Sequence, residues 1–329
     1  MGKRKYGMPY QGSKSAIAEN IIEALPAATH LYDVMGGGGA ITHCAALSGK
    51  WNTVHYNEID SVIVKGFKMA LNGEFANEDR FITREDFFHL KDTDPYARIC
   101  FSFGNDCRSY CYSKRIEEYK KAMHEAIVKS NYLPYENMTG LSLREMYGKT
   151  THEKRLLMRR IAKDLHKKQH SKNIPDMQEN IVTAHHISAL ERMVSLKLHN
   201  RPKKPAKLRS LQSLERLQSL ERLESLERLE QFGKIEVDIS QGDYRDLQIP
   251  SDSVIYCDIP YKNTKKYFIE FDYEAFWEWV HRQTAQVYVS SYTLDRPDVQ
   301  LVDSFVKQRN MSAKASTVGT ENLYKVIKI

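Results

Sequence analysis

The chain has 329 residues and a mass of 38.2 kDa, a length that predicts about two folding units. Hydrophobic residues make up 41%, mean hydropathy is −0.56, and no stretch approaches the roughly 20 apolar residues that cross a bilayer. No apolar signal sequence follows the first residues, and the five cysteines lack paired metal spacing. We therefore expect a reduced, cytoplasmic protein and neither a secreted nor a membrane protein.

The net charge of +7 is unevenly distributed along the chain. Residues 149–209 contain sixteen Lys or Arg and five Asp or Glu, so this window carries +11 and the rest of the chain −4. A basic segment attached to a mildly acidic body is typical of an enzyme that binds a polyanion. The alternative is a solvated helical face without a partner.

The first predicted elements alternate between helix and strand. Apolar spacing predicts a helix over residues 13–25, and the apolar run 30–35, which stops at four glycines, predicts a buried strand. A second helix is predicted over 40–47 and a second strand over 53–57. Strand, glycine turn, helix and strand form a βαβ unit, which predicts a parallel sheet with helices on its faces.

Residues 105–208 differ because helical patterns, such as 116–126 and 156–165, dominate there and strand signals are sparse. Strand patterns return after Lys234. The predicted strands cover 235–239, 253–257 and 286–290, an amphipathic helix covers 271–280, and residues 323–329 alternate like an edge or hairpin strand. The sheet-forming body is thus predicted to be split by a mostly helical, basic insert.

An internal repeat separates the insert from the second half of the body. Residues 213–230 are three hexapeptide copies of the type Ser-Leu-Glu-Arg-Leu-Gln or Glu. Leucines recur every third residue, so on a helix they would spiral around the axis and form no single stripe. The composition favours helix, and we interpret the repeat as a spacer of variable length without chemistry.

The glycine turn and the strand after it carry the first chemical signal. Asp33-Val-Met-Gly-Gly-Gly-Gly39 places glycines before a helix, where the backbone can approach a ligand and helix N–H groups point toward it. Glu58 lies at the tip of the next predicted strand, 20 residues beyond Gly38. A carboxylate at that spacing accepts hydrogen bonds from ribose hydroxyls in nucleoside-binding α/β folds. Together they predict a nucleoside-cofactor site, although each alone also fits an ordinary turn or strand end.

A second signal lies in Ser253-Val-Ile-Tyr-Cys-Asp-Ile-Pro-Tyr261. The apolar run predicts a strand that delivers Asp258, Pro260 and Tyr261 to the carboxyl edge of the sheet, where open α/β sheets bind ligands. A carboxylate, a carbonyl and a ring side by side can bind an exocyclic amino group and stack on a base. The alternative is a strand that ends in a simple proline turn.

Three weaker features complete the pattern. Lys14, in Tyr10-Gln-Gly-Ser-Lys14, precedes the first predicted helix, where its charge opposes the helix dipole; it is either directed at a ligand or solvated. Residues 100–106 resemble another strand tip, with Phe101 and Phe103 either at a base pocket or in the core. We expect no metal site, because no cysteine pairs with the histidines of the basic window, which stand at 152, 166, 170, 185, 186 and 199.

The order of these motifs resembles that of the Dam-like N6-adenine DNA methyltransferases of the alpha group. Aromatic-x-Gly-x-Lys, Asp-x-x-Gly-Gly-Gly, a strand-end acid, a helical insert and Asp-Ile-Pro-Tyr follow one another, over roughly residues 6–90 and 233–329. Glu321-Asn-Leu-Tyr324 is similar to the short strand that closes the family's catalytic domain, and Ile259 stands where the family most often has proline. The resemblance implies an α/β fold, with a Rossmann-like methyltransferase sheet and an inserted, mostly helical target-recognition domain.

The resemblance also divides the chain. Residues 1–104 would form the cofactor-binding half of the catalytic domain and 105–208 the basic target-recognition insert. Residues 209–230 would be the repeat spacer and 231–329 the target-base half.

The resemblance implies S-adenosylmethionine as the cofactor. Lys14 would lie near its carboxylate, Glu58 would hold the ribose hydroxyls, and the full binding set would be Tyr10, Lys14, Asp33, Gly36, Gly37, Gly38, Glu58 and Asp258. Asp258 and the Pro260 carbonyl would accept hydrogen bonds from the N6 amino group of an adenine flipped out of double-stranded DNA, and Tyr261 would stack on its ring. A restriction endonuclease partner and the target sequence are left open.

Contacts to DNA phosphates are expected from basic side chains on a broad helical face of the insert, namely Arg155, Arg159, Arg160, Lys163, Lys167 and Lys168. Two alternatives keep the fold. In the first, the methyl acceptor is N4 of cytosine or an RNA adenine. In the second, the protein binds nucleic acid without catalysis. Asp258 as the first motif residue favours adenine, whereas serine there would favour cytosine.

Overall fold

The computed structural model describes residues 6–75, 78–170, 237–260, 271–309 and 317–327, with the backbone alone for 162–170, 307–309 and 317–318. The hexapeptide repeat and residues 171–209 of the basic window lie outside the described residues. No helix in the described ranges is both long enough and apolar enough to cross a membrane.

The described strands form one seven-stranded sheet. In chain order they are β1 (His30–Asp33), β2 (Thr53–Glu58), β3 (Asp238–Gln241), β4 (Ser253–Asp258), β5 (Gln286–Ser291), β6 (Val299–Arg309) and β7 (Thr317–Val326). Their order across the sheet is β3-β2-β1-β4-β5-β7-β6. The first five run parallel, whereas β7 is antiparallel to both β5 and β6. The expected α/β class with a mostly parallel sheet is therefore confirmed.

Helices connect the strands, and several of them begin after a residue whose side chain caps their first turn. They are α1 (Ala18–Ala24), α2 (Ala40–Ser48), α3 (Ser61–Leu71), α4 (Arg84–Leu90), α5 (Pro95–Cys100), α6 (Glu117–Val128), α7 (Leu133–Thr139), α8 (Thr151–His170) and α9 (Tyr273–Arg282). Asp60, Asp94 and Asp272 accept hydrogen bonds from the first N–H groups of α3, α5 and α9. Thr83 and Asp86 form a reciprocal capping box at α4.

Strand β4 shows how both faces of the sheet are buried. Val254 and Tyr256 pack with α1 and α2 on one face, and Ile255 and Cys257 pack with α9 on the other. Five consecutive residues of β4 are buried, the continuous apolar pattern of a central parallel strand. The sheet thus presents its carboxyl edge, and not its faces, to a ligand.

The alternation predicted from the sequence is confirmed with small shifts in bounds. Helix α1 begins later than the predicted residue 13, and β2 extends one residue further to Glu58. The prediction of an edge or hairpin strand at the C-terminus is confirmed for the hairpin and wrong for the edge, because β7 lies between β5 and β6. Strand β6 was not predicted at all.

Helices α6, α7 and α8 form a small group with a core of its own. Tyr119, Ala126, Tyr135, Met146 and Met158 are among the buried residues of this core. The hydroxyl groups of Tyr119 and Tyr135 share a hydrogen bond of 2.7 Å inside it. The predicted helical character is confirmed for the described part of 105–208. That this group forms an inserted recognition domain stays a prediction.

Candidate active site at the carboxyl edge of the sheet

The strand order reverses between β1 and β4, which are neighbours in the sheet. From β1 the chain continues outward to β2 and β3, and from β4 it continues in the opposite direction to β5. Crevices at such reversals are where open α/β sheets bind ligands, at the carboxyl ends of the strands. Asp33 ends β1 and Asp258 ends β4, so the two sequence motifs meet at this position.

The glycine turn after β1 is tightly enclosed by tyrosine rings. A Cβ on Gly36 would lie 2.3 Å from the Tyr56 ring, and a Cβ on Gly37 would lie 2.9 Å from the Tyr10 ring. A Cβ on Gly38 would meet the Cβ of Tyr10 at 2.7 Å. The structure therefore brings Tyr10 and the glycines together as predicted. It adds that packing by the protein itself, and not only the approach of a ligand, requires glycine here.

Glu58 closes the same turn from the end of β2. Its Oε2 accepts a hydrogen bond from the Gly37 N–H at 2.9 Å, and its Oε1 accepts one from the Asp60 N–H at 3.0 Å. Burial raises the pKa of Glu58 above its ordinary value, and these backbone donors oppose that rise. A carboxylate offers about four lone-pair sites, so two bonds leave acceptor capacity for a ligand hydroxyl.

Asp33 is turned toward helix α2. Its Oδ2 accepts hydrogen bonds from the Thr42 hydroxyl at 2.7 Å and from the Thr42 N–H at 3.2 Å. Only 2% of the residue is exposed, and this burial, with the charges of Asp258 and Glu58 adding to it, raises the pKa of Asp33 to about 7. The structure thus gives Asp33 a role in joining β1 to α2. Its predicted contact with a cofactor stays a prediction.

Lys14 contacts Asp258 across the crevice. Lys14 Nζ lies 2.6 Å from each of the two Asp258 carboxylate oxygens, and 3.6 Å from Oε1 of Glu321 in β7. The Lys14 side chain is 3% exposed, so it is not a solvated lysine. Lysine is almost never this buried unless it is paired with a carboxylate. The resemblance placed Lys14 near the cofactor carboxylate, whereas in the structure its ammonium contacts Asp258 of the target-base motif.

The rest of that motif is held by helix α9. The Pro260 carbonyl oxygen accepts a hydrogen bond of 2.6 Å from the Tyr273 hydroxyl. Ile259 is 3% exposed and packs in the same apolar cluster as Trp277. The residue at 259 therefore contributes to the core, while its neighbours face the crevice. Tyr261, predicted to stack on a base, lies outside the described residues.

Among the described side chains, the predicted basic face of the insert is only partly exposed. Arg155 is 2% exposed, so assigning it to a contact with DNA phosphates was wrong; it lies in the interior of the helical group. Arg159 is half-buried, and Arg160 is exposed and pairs with Glu145. The side chains of Lys163, Lys167 and Lys168 lie outside the described residues. The physical reason is that α8 packs against α6 and buries Met158, and Arg155 lies three residues before Met158, on the same side of the helix.

Residues 100–106 are not a strand tip, which corrects that prediction. Cys100 ends helix α5, and a short 3-10 helix spans Phe103–Asn105. Phe101 is buried in the core and Phe103 is 52% exposed, so the two rings have different environments. The Asn105 carbonyl accepts a hydrogen bond from the Gln11 N–H, which places this turn beside the loop that carries Lys14.

Two residues of the site were not assigned to it from the sequence, Glu321, which was named only as part of the closing strand, and Tyr273. A signal existed for Glu321, since it is two residues from the fully buried Leu323 and so shares the inward phase of a strand. A charge in that phase is unusual and indicates a buried partner. Tyr273 had no comparable signal, because its contact depends on how α9 packs.

No protein-family model matches the chain, and no curated protein matches it. Within the described ranges, no three His, Cys, Asp or Glu side chains are grouped so that they could hold a metal ion.

Proposed function

We propose that this protein is a DNA methyltransferase that transfers a methyl group from S-adenosylmethionine to N6 of a flipped adenine. One observation carries the proposal. At the reversal point of the sheet, the glycine turn with Glu58 lies next to the end of the strand that carries Asp258 and Pro260. A nucleoside site and an amino-group site are thereby side by side, as a transfer between two nucleosides requires.

The residues on the cofactor side fit a nucleoside. Glu58 retains acceptor capacity for ribose hydroxyls, and Tyr10 with Gly36, Gly37 and Gly38 would form the wall beside it. Ile59, next to Glu58, is 46% exposed and offers apolar surface at the rim.

The target side suits an exocyclic amino group. Asp258, whose side chain is 25% exposed, and the Pro260 carbonyl are two acceptors at one strand end. Accepting hydrogen bonds from both N6 hydrogens favours a pyramidal nitrogen and so makes its lone pair available for attack. When bound, S-adenosylmethionine supplies a methyl group on a sulfonium: N6 forms the new N–C bond and the C–S bond breaks, with its electron pair going to sulfur. Asp258 lies where the proton then released from N6 can pass to solvent.

DNA binding is assigned to the helical insert. The window 149–209 carries +11. Among the arginines of α8 whose side chains the structure describes, Arg160 is exposed. Phosphate contacts there would hold the duplex beside the crevice while the adenine is flipped, a step that needs a few kcal/mol of unstacking energy. The helical insert is therefore the target-recognition domain in our proposal.

The proposal is tested by incubating duplexes of varied sequence with tritium-labelled S-adenosylmethionine. We expect incorporation by the wild-type protein and at least about a thousandfold less with Asp258→Asn, because the variant loses the charged acceptor. Asp252→Asn is the matched control, since Asp252 is exposed beside the amino end of the same strand. Label on cytosine or on RNA alone would favour the alternative acceptors. Binding of DNA without any incorporation would favour the silent protein.

A further inference from the structure

Glu321 lies in one charge cluster with Lys14 and Asp258. Its Oε1 is 3.6 Å from Lys14 Nζ, and that ammonium is 2.6 Å from both Asp258 oxygens. The Glu321 side chain is 1% exposed, whereas that of Asp258 is 25% exposed. One buried ammonium therefore lies between two carboxylates, and only Asp258 reaches the crevice.

The sheet register explains how Glu321 comes to this edge. Asp258 is opposite Ser290 of β5, and Ser290 is opposite Leu323 of β7. Because β7 runs antiparallel, Glu321 lies beyond Leu323 toward the carboxyl end of β5. It is in phase with Leu323 and so points to the buried side.

Lys14 and a substrate amino group compete for Asp258. An ammonium that contacts both carboxylate oxygens neutralises the charge that a neutral amino group needs in its acceptor. The ammonium cannot simply leave, because a buried charge without a carboxylate is strongly unfavourable. It needs a second carboxylate within reach.

We infer that Glu321 is a positioning residue of the target-base site, which draws the Lys14 ammonium from Asp258 when the amino group of the acceptor base binds. This inference rests on the proposed function. A move of less than about 1 Å would bring the 3.6 Å separation to the length of a charge-assisted hydrogen bond. Asp258 then has an oxygen available for the base, and the cluster keeps its ion pair.

The test is single-turnover methyl transfer by Glu321→Gln and Glu321→Asp. Glutamine keeps the shape but not the charge, so Lys14 stays on Asp258 and the transfer rate falls about tenfold to a hundredfold, the loss found when a partner that orients a metal ligand is removed. Aspartate keeps the charge and restores part of the rate. The affinity for S-adenosylmethionine changes less than about twofold in both, since the effect is confined to Asp258.

A structural role is separated by two controls. Asp298→Asn also removes a buried carboxylate, one that pairs with Arg296, and we expect its folded fraction to transfer at the wild-type rate. In a Lys14→Met background, Glu321→Gln should change the rate less than about twofold, because its effect passes through Lys14.

The outcomes separate the two proposals. Wild-type activity with an unchanged rate in folded Glu321→Gln overturns the inference and leaves the proposed function standing. The inference is also overturned if Glu321→Gln still lowers the rate in the Lys14→Met background, or if Glu321→Asp does not restore part of the rate. If the wild-type protein transfers no methyl group, the proposed function fails and the inference falls with it.

Discussion

The hydroxyl of Tyr273 donates a hydrogen bond of 2.6 Å to the carbonyl oxygen of Pro260. It joins the first residue of helix α9 to the strand-end motif and fixes the direction of the Pro260 carbonyl. Burial raises the pKa of Tyr273, so the hydroxyl remains a donor at neutral pH.

Tyr273→Phe should therefore slow methyl transfer. Loss of one neutral hydrogen bond is worth about 1 kcal/mol, which predicts a rate about fivefold lower with little change in cofactor affinity. Tyr288→Phe is the control, because the Tyr288 hydroxyl bonds Gln286 at the opposite end of β5. An equal effect of both substitutions on the single-turnover rate would contradict a specific role for Tyr273.

The raised pKa of Asp33 predicts a pH dependence of stability. Its folded-state pKa of about 7 lies above the ordinary value of 3.8, so the folded protein binds the extra proton between these pH values. The free energy of unfolding should fall as pH rises through this window, by at most about 1.4 kcal/mol per unit. In Asp33→Asn, the loss of stability between pH 5 and 8, measured by urea unfolding, should shrink by at least about 1 kcal/mol.

Asp243→Asn provides the comparison for that experiment. Hydrogen bonding to Arg245 lowers the pKa of Asp243, so its contribution is lost only when pH falls below the ordinary range of a carboxyl. Between pH 5 and 8 its substitution should leave the slope unchanged. A wild-type slope in Asp33→Asn would show that Asp33 is ionised in the folded protein.

The close fit of Gly36 to the Tyr56 ring predicts a loss of stability in Gly36→Ala. The added Cβ would lie 2.3 Å from the ring, so the strand end or the ring must move, at about 1–3 kcal/mol. Gly49→Ala meets open space and carries only the strain of a φ of +64°, about 1 kcal/mol. Thermal unfolding should place Gly36→Ala below Gly49→Ala, and the reverse order would refute the packing explanation.

The different burial of two arginines on α8 predicts different effects on DNA binding. Arg160→Gln should weaken binding and reduce the slope of log affinity against log salt by about 0.9, the effect of one phosphate contact. Arg155→Gln should lower the free energy of unfolding and leave the salt slope unchanged, because Arg155 is buried. Filter binding at several salt concentrations, with unfolding measured in parallel, would distinguish them; equal slopes for Arg160→Gln and wild type would contradict the interface.

Local pattern was sufficient to predict the centre of the sheet. β1, β2, β4 and β5 are short apolar runs bounded by turns, and parallel strands buried on both faces have that pattern. Strand β6 was missed because residues 299–309 show no sustained apolar alternation, and the structure agrees with that pattern, since Leu301, Val302 and Val306 are exposed. The 3-10 turn at Phe103–Asn105 was taken for a strand tip because aromatic residues favour strands when context is ignored.

The candidate site was predictable in its motifs and not in its contacts. Asp258, Pro260, Glu58 and the glycine turn meet at the carboxyl edge because strand ends are set by the local sequence. The bond from Lys14 to Asp258 joins residues 244 positions apart, and only tertiary packing brings them together. The same holds for the burial of Arg155, since charge composition does not tell which side of α8 faces its neighbours.

The most direct test of the central proposal is the identity of the methylated nucleoside. DNA incubated with the protein and S-adenosylmethionine is digested to nucleosides and measured by mass spectrometry beside DNA treated with Asp258→Asn. We predict N6-methyldeoxyadenosine in the wild-type sample and none above background in the variant. No methylated nucleoside in the wild-type sample, or an equal amount from Asp258→Asn, would contradict the proposed function.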